Sequence, residues 1–392
     1  MRPDSRHVTF WAASLFGLAL LAGSGIDAHK GTTSKYTYND DVYPIFRDKC
    51  GRCHADGGPA PMSLLKYEIE SSGAVAWAES IREMVVGEAM PPWYADPIGP
   101  AVKTTRNHSL TPREIDIIVT WATGGTPRGD LNHKPVLPAP HSGWSLGTPD
   151  LEMAMEQPFA PGADATEATA DFTLPTRLPQ ATWVRAADLL PGTAAMVRRA
   201  IISTESGHVL AVWQPGDDVV AAPQGAAFKL EAGAHLRLRI SYKKPWQDEQ
   251  QAWSDRSTVG LYFTDEPLSG KSIEAFSIEA GEPGGAPGGT ARRAFSGTLP
   301  SGGRVLALRP SLDQPYATVE VTAVAASGRR VPLLTLRGAR PEWPRRYWLV
   351  DPVDLPRGTT IEVNGTPGDP DSGPLLAREK TPLGLAIDFV PL

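Results

Sequence analysis

Cys50-Gly51-Arg52-Cys53-His54 contains the only two cysteines of this 392-residue chain. The C-x-x-C-H spacing is the pattern of c-type haem attachment, in which each thiol forms a thioether and the histidine binds the iron. A redox dithiol does not need the adjacent histidine, and a structural zinc site needs four ligands, for which no further cysteine exists. The motif therefore predicts one covalent haem c, with Cys50 and Cys53 as thioether residues and His54 as the proximal iron ligand.

The first 28 residues resemble a secretory signal peptide. Arg2 and Arg6 give a positive start, residues 10–22 are apolar, and small residues follow at 22–28 as cleavage flanks. The apolar stretch is shorter than the ~20 residues of a membrane span, so we expect cleavage and no integral membrane span afterwards. The mature protein is therefore expected to be soluble and exported, in a bacterium to the periplasm, where haem is attached to this motif.

Composition narrows the class of protein. The net charge is −6 without a basic stripe, which makes nucleic acid an unfavourable partner. Glycine and proline number 38 each, and this abundance favours a loop-rich, β-containing architecture. The length indicates two or three domains.

Residues 36–131 are predicted to form an all-α c-type cytochrome domain. Asn39 is expected to cap a first helix that runs toward Cys50. Residues 111–114, Thr-Pro-Arg-Glu, form a capping box with proline at the first helical position, and the helix that follows is expected to end at the glycine pair 124–125. The two terminal helices are expected to pack together, with the haem between them and the intervening chain.

The iron needs a sixth ligand or an open face, and four side chains are candidates. Met84 falls in a helical pattern, where methionine is more often a core residue. Met62 follows the histidine of the motif so closely that little chain is left to reach the opposite haem face. Met90 opens a Met-Pro-Pro-Trp loop, whose prolines favour an extended backbone. We predict Met90 as the distal ligand, with a raised reduction potential, and keep His108 as the alternative.

Beyond this domain the pattern changes from helix to strand. A proline-rich linker is predicted at 132–147, a first β-sandwich at 148–278 and a second at 290–392, with the glycine-rich run 281–289 between them. Residues 235–241 alternate polar and apolar side chains, as a half-buried strand does. Further strands are predicted at 259–264, 304–308, 317–324 and 359–363.

Four sequence runs carry a family resemblance: 41–46 (Asp-Val-Tyr-Pro-Ile-Phe), 50–54, 60–65 (Ala-Pro-Met-Ser-Leu-Leu) and 90–94 (Met-Pro-Pro-Trp-Tyr). Together they resemble a bacterial fusion family in which a cytochrome c domain precedes a region similar to copper type II, ascorbate-dependent monooxygenases. The resemblance covers nearly the whole mature chain. It implies the same haem ligands and two jelly-roll-like sandwiches.

The copper ligands that this family carries are replaced here. Its Val-His-His-Ala run corresponds to Val-Arg-Arg-Ala at 197–200, its His-Tyr-His strand to Ser-Tyr-Lys at 241–243, and its Pro-His-Met-His run to Pro-Ser-Leu-Asp at 310–313. No histidine follows His235, and His208 and His235 are more typical of solvated residues than of a copper pair. We therefore expect no copper. The arginine pair within 197–200 could bind an anion or a partner carboxylate, but we interpret it as a charged pair on a solvated edge.

Three functions remain open at this point. The first is an electron-transfer protein whose non-catalytic monooxygenase-like β-domains dock a redox protein partner, since a lone carrier does not need so large an additional region. The second is a copper monooxygenase with a fused cytochrome donor, which the missing ligands disfavour. The third is a haem-bearing assembly or binding subunit of a larger redox complex. A haem peroxidase would need an open distal face and an acid–base pair, and the sequence offers no such pair.

Overall fold

The computed structural model describes residues 33–68, 72–105, 108–133, 136, 143–162, 164–245, 248–281, 291–369 and 381–392. The predicted signal peptide, half of the predicted linker and nearly all of the glycine-rich run 281–289 lie outside the described residues.

The predicted fold class, an all-α cytochrome c domain followed by two jelly-roll-like sandwiches, is wrong. The described chain is predominantly β, with 38% strand and 11% helix, and it contains no all-α domain. Turns, bends and irregular chain make up most of residues 51–77 and 87–111, where helices would be required. One physical reason why these residues are not helical is close backbone contact. At Gly58, for example, a Cβ would lie 2.4 Å from the Cys53 carbonyl oxygen. Glycine and proline in these stretches favour close turns over helical repeats.

Three short helices are present among the described residues. Helix α1 consists of three consecutive pieces, Tyr38–Val42, Tyr43–Ile45 and Phe46–Cys50, of which the first and last have π-type hydrogen bonds. Helix α2 is Ala78–Val86 and helix α3 is Pro112–Thr123. None of these helices combines the length and the apolarity that crossing a membrane requires.

The helix ends follow from local hydrogen bonds. Thr111 and Glu114 form the predicted capping box of α3, and this prediction is confirmed. Asn39 does not cap α1: the Thr37 side chain accepts from the Asp40 N–H instead, while Asn39 Nδ2 donates to the Asp130 carbonyl at 2.8 Å.

The helices share a small aromatic core. The fully buried Trp121 of α3 packs on two aromatic rings of α1, Tyr38 and Phe46, each with its centroid 6.1 Å away. The indole Nε1 donates to the Pro127 carbonyl at 3.2 Å, so the one polar atom of this large side chain is satisfied. This contact joins the first and last helices across the intervening chain.

Sixteen strands occur in the described part of the chain. The first eight are β1 Leu151–Ala154, β2 Glu167–Pro175, β3 Thr182–Leu190, β4 Val197–Thr204, β5 Val209–Trp213, β6 Phe228–Leu230, β7 His235–Lys243 and β8 Thr258–Thr264. The other eight are β9 Glu274–Glu279, β10 Arg293–Thr298, β11 Gly303–Ser311, β12 Tyr316–Val324, β13 Arg330–Ala339, β14 Tyr347–Leu355, β15 Thr360–Pro367 and β16 Gly384–Pro391. Every strand predicted from the sequence falls on β7, β8, β11, β12 or β15.

The strands form four antiparallel four-stranded sheets. The sheets β1-β8-β3-β6 and β2-β7-β4-β5 enclose one hydrophobic core, and we call strands β1–β8 the first β-unit. The sheets β10-β15-β12-β13 and β14-β11-β16-β9 enclose a second core, and we call strands β9–β16 the second β-unit. Strand β7 shows how the sequence dictates this packing, because Leu236, Leu238 and Ile240 are fully buried while the residues between them are exposed.

The middle of the N-terminal segment is attached to the second β-unit. Ala95 forms an antiparallel bridge with Leu336, and Thr104 forms one with Leu349. Tyr94 and Ala95 belong to the core of the second β-unit rather than to the aromatic core of the helices. The chain therefore leaves the helices after α2, runs along the second β-unit and returns to form α3.

Replacing Trp121 by alanine should destabilise the helices by about 3–5 kcal/mol, because it leaves a large cavity between α1 and α3. Urea unfolding followed by circular dichroism at 222 nm measures this change. Leu131→Ala is the control: that side chain is 61% exposed, and its loss should change stability by no more than about 0.5 kcal/mol. Equal stability of the two variants would contradict the packing role of Trp121.

Candidate functional site

The C-x-x-C-H motif continues directly from a helix end. Cys50 is the last residue of α1, and its carbonyl oxygen accepts from the N–H groups of Cys53 at 3.1 Å and His54 at 2.9 Å. These two bonds wind residues 50–54 into a tight turn. Both cysteines are free thiols in this turn. The turn thus presents two unoxidised thiols and an imidazole from five consecutive residues.

His54 has the properties of a metal ligand. Its Nδ1 is buried and has no hydrogen-bond partner among the described residues. Burial lowers the pKa of His54 to about 4, and an interaction with the Met62 backbone opposes this shift only in part. The imidazole is therefore neutral at pH 7, the form that binds iron. A buried, unsatisfied nitrogen in a neutral ring fits a site built for a further group.

The two thiols are protonated at neutral pH. Burial raises the pKa of Cys50 and of Cys53 to about 12. The Asp217 charge adds to the shift at Cys53, and nearby arginines oppose it. Catalytic and redox-active cysteines have lowered pKa values, so the surroundings of these thiols do not favour thiolate chemistry. Together with His54, the residues fit covalent haem attachment better than a redox dithiol.

A loop of the first β-unit covers the motif. We call residues 214–218, which follow β5, the covering loop. Cys53 Sγ donates to the Pro215 carbonyl at 3.2 Å, and the Arg52 guanidinium forms an ion pair with Asp218. At Gly216 a Cβ would lie 2.8 Å from Cys53 Sγ, and the backbone there has φ +81°, so glycine is required on both counts.

Met90 begins a loop that the second β-unit holds in place. We call residues 90–93 the Met90 loop. The half-buried Met90 follows α2, and its N–H donates to the Met84 carbonyl at 3.1 Å. The Pro92 carbonyl accepts from Arg345 Nε at 3.0 Å, and the Trp93 ring centroid lies 5.2 Å from the Arg345 guanidinium carbon. The loop therefore has a fixed backbone on each side of its two prolines.

Arg345 connects both loops. Its Nη1 pairs with Asp217 of the covering loop, while its Nε holds Pro92 of the Met90 loop. Burial by itself would lower the pKa of Arg345, but the charge and the hydrogen bond of Asp217 together with Tyr347 and Tyr94 outweigh burial, and the pKa lies above its ordinary value. The guanidinium is thus a permanent cation at the junction of the C-x-x-C-H motif and the two β-units. Sequence reasoning missed both Arg345 and Asp217, because no local pattern marks them.

The other ligand candidates lie in different surroundings. Met62 packs against the aromatic core of the helices, beside His54. Met84 is 36% exposed, so its interpretation as a core residue is wrong. His108 is half-buried and meets the Trp93 ring edge-on at 5.3 Å, rather than lying in solvent.

The arginine pair of β4 is not on a solvated edge, and that interpretation is wrong. Arg198 and Arg199 are each only 7% exposed, because β4 lies inside its sheet between β7 and β5. Arg198 Nη1 donates to the Ala195 carbonyl at 2.7 Å, and Arg199 Nε donates to Ser241 Oγ at 3.0 Å. His208 and His235, by contrast, are exposed. Across the residues that the structure describes, no group of three His, Cys, Asp or Glu side chains could hold a metal ion.

No known family model matches the chain, and no curated protein matches it. Among solved structures, the major capsid protein P2 of bacteriophage PM2 is 11% identical, covering 62% of this chain and 97% of that chain with a TM-score of 0.28. Allantoicase is 8% identical, covering 56% of this chain and 76% of that chain with a TM-score of 0.19. The CUB1-EGF-CUB2 domain of human MASP-1/3 is 9% identical, covering 61% of this chain and 98% of that chain with a TM-score of 0.17.

The predicted membership in the cytochrome–monooxygenase fusion family is therefore wrong. No family model or curated relative supports it, and the mostly β chain lacks the all-α cytochrome c domain that the family requires. The resemblance rested on short runs, and such runs can recur without a shared fold.

Arg345→Met should destabilise the protein by about 2–4 kcal/mol, because it leaves Asp217 without its buried partner and the Pro92 carbonyl without a donor. Denaturant unfolding measures the loss, and the double variant Arg345→Met/Asp217→Asn should recover part of it. The control is Arg337→Met, which removes a 59% exposed arginine paired with Asp96 and should change stability by less than about 1 kcal/mol. If the stability losses of Arg345→Met and Asp217→Asn, measured singly, add up to the loss of the double variant, Arg345 does not connect the two loops.

Proposed function

We propose that this chain is an exported, mono-haem c-type cytochrome that transfers electrons. One haem c would be attached through Cys50 and Cys53, with His54 and Met90 as the axial iron ligands. The observation that supports this most is the turn at the end of α1, where two free thiols stand beside a neutral imidazole with an unsatisfied buried nitrogen. When bound, the haem supplies a one-electron Fe(III)/Fe(II) couple.

The residues of the motif have separate tasks in this proposal. Cys50 and Cys53 would hold the porphyrin by two thioethers. His54 offers a neutral nitrogen without first losing a proton at pH 7, because burial keeps its pKa near 4. The turn hydrogen bonds to the Cys50 carbonyl fix the backbone of His54 relative to that of Cys50 and Cys53. Such a preorganised set changes little between the two oxidation states, which suits rapid electron transfer.

Met90 is the proposed distal ligand. Its loop is fixed from the second β-unit through Pro92 and Trp93, so the thioether is carried on a backbone with few alternative positions. Methionine opposite histidine raises the reduction potential of a haem iron relative to two histidines. The covering loop meanwhile shields the Cys53 side of the motif from solvent.

The two β-units would dock a redox protein partner or join the protein to a larger redox complex. They already bind the helices on one side through the covering loop and the Met90 loop. Export, in a bacterium to the periplasm, fits the positively charged and then apolar start of the sequence and the cellular site of haem attachment.

Cys53→Ala should abolish full covalent haem attachment when the protein is produced in a host with haem-maturation machinery, because only one thioether can form. The mass of the denatured protein and its pyridine haemochrome spectrum measure attachment. Arg52→Gln is the control, since it keeps C-x-x-C-H intact and should retain the haem. An unchanged two-thioether spectrum in Cys53→Ala would refute the assignment.

Met90→Ala should abolish the near-infrared methionine–iron charge-transfer band of the oxidised protein, because the sulfur ligand is lost. Met84→Ala is the matched control: that side chain is partly exposed on α2, and the band should persist. A band that survives Met90→Ala and disappears in Met62→Ala would place the ligand at Met62. The absence of the band in the wild type, together with a spectral change in His108→Ala, would assign His108 instead.

A further inference from the structure

The arginine pair of β4 begins at an irregular point of the strand. Consecutive residues of β7 pair with Val197 and with Arg199, so Arg198 is the extra residue of a β-bulge. A bulge interrupts the strict alternation of a strand and redirects the side chain of the extra residue. The Arg198 guanidinium can therefore be buried without entering the apolar core to which Val197 and Ala200 belong.

Arg198 lies beside the loop that covers the C-x-x-C-H motif. Ala200 pairs with Trp213, the last residue of β5, and the covering loop begins immediately after it. Arg198 precedes Ala200 by two residues, so it lies at the end of β4 where the covering loop leaves the sheet. Cys53 Sγ donates to the Pro215 carbonyl of this loop, and the rise that burial causes in the pKa of that thiol is partly offset by the Arg198 charge. The guanidinium is therefore close to the motif.

The Arg198 guanidinium has one hydrogen-bond acceptor among the described residues. Arg198 is 7% exposed, and its Nη1 donates to the Ala195 carbonyl at 2.7 Å. No carboxylate in the described part of the chain forms an ion pair with it, and Glu167, whose charge acts on it, is already paired with Lys243 at 2.7 Å. Burial lowers the pKa of Arg198 to about 10, because the interactions with Cys53 and Glu167 compensate only in part.

Two other buried arginines show what is missing at Arg198. Arg345 pairs with Asp217, and Arg346 pairs with Asp388 at 2.8 Å. The Arg346 guanidinium also donates to two backbone carbonyls of β5. A buried charge is strongly unfavourable unless an opposite charge accompanies it. The described chain supplies no such charge at Arg198, which indicates that a bound group does.

We propose that Arg198 binds a propionate carboxylate of the haem. The inference rests on the proposed haem attachment, because a porphyrin held by Cys53 brings its two propionate groups to the neighbourhood of the motif. The planar fork of Arg198 can donate two parallel N–H groups to the two oxygens of a carboxylate. The pair neutralises the buried cation, and through it the first β-unit contacts the haem itself as well as the motif.

Redox titration of the haem-loaded full chain at several pH values between about 5 and 8 tests this pair. In Arg198→Gln the buried propionate loses its counter-charge, so its proton affinity should rise about tenfold or more and it should titrate in this range. Reduction of the iron removes one positive charge and strengthens proton binding further. The midpoint potential of Arg198→Gln should therefore fall with rising pH more steeply than that of the wild type. Superimposable pH profiles would overturn the proposal.

The other ionisable groups near the pair stay in place in Arg198→Gln. Those whose charges act on Cys53 or on Arg198 are Arg52, Glu167, Asp217 and Arg345. Because they are common to both proteins, they contribute equally to the two profiles, and the difference between the profiles reports the substituted residue.

Two matched variants establish the specificity of the effect. Arg198→Lys keeps the positive charge and should restore a profile close to that of the wild type. Arg199→Gln removes the next arginine, which is equally buried and donates to Ser241 Oγ, and should leave the profile unchanged. A steeper profile in Arg199→Gln than in Arg198→Gln would overturn the assignment of the residue.

The mass of the denatured protein separates this inference from the proposed function. A wild type without haem bound through two thioethers would refute both. A haem-bearing Arg198→Gln protein with the pH profile of the wild type would refute only the role of Arg198.

Resonance Raman spectroscopy decides the question if Arg198→Gln does not fold. The bending mode of the propionate groups responds to the hydrogen bonds that their oxygens accept. Arg198→Lys replaces a planar fork by a single ammonium group, so this mode should shift relative to the wild type. An identical mode in the two proteins would contradict the proposal.

Discussion

The partly buried ion pair between Arg345 and Asp217 determines how the parts of this molecule meet. Asp217 belongs to the loop that covers Cys53, and the same guanidinium holds the Pro92 carbonyl and stacks on Trp93. Separating the pair leaves the buried Arg345 guanidinium without its counter-charge, so movement of either loop is penalised. The C-x-x-C-H turn and the Met90 loop are thereby held by segments of the two β-units that follow them by more than a hundred residues in the chain.

This arrangement explains how so few helical residues can support the proposed haem site. A helical cytochrome surrounds its cofactor with helices, whereas here α1 and α3 share one aromatic core around Trp121 and a loop of the first β-unit lies against Cys53. The Met90 loop has little regular structure of its own. Its order comes from Arg345 and from the bridge that Ala95 makes with Leu336. Tertiary contacts therefore fix the Met90 loop, which lacks helix or strand hydrogen bonds of its own.

The sequence predicted what depends on neighbours in the chain. The capping box at Thr111 and the alternation along β7 could be identified, because a cap and a pleat are local properties. The fold class could not be predicted. The helix ends of the segment could be recognised, but they do not indicate how much of the chain between them is helical. The burial of Arg198 and Arg199 was also missed: a charged pair indicates an exposed edge unless the position of the strand within its sheet is known. Cys50, Cys53 and His54 could be chosen as candidate site residues from the motif alone. Asp217 and Arg345 could not, because they become a pair only after the β-units have folded.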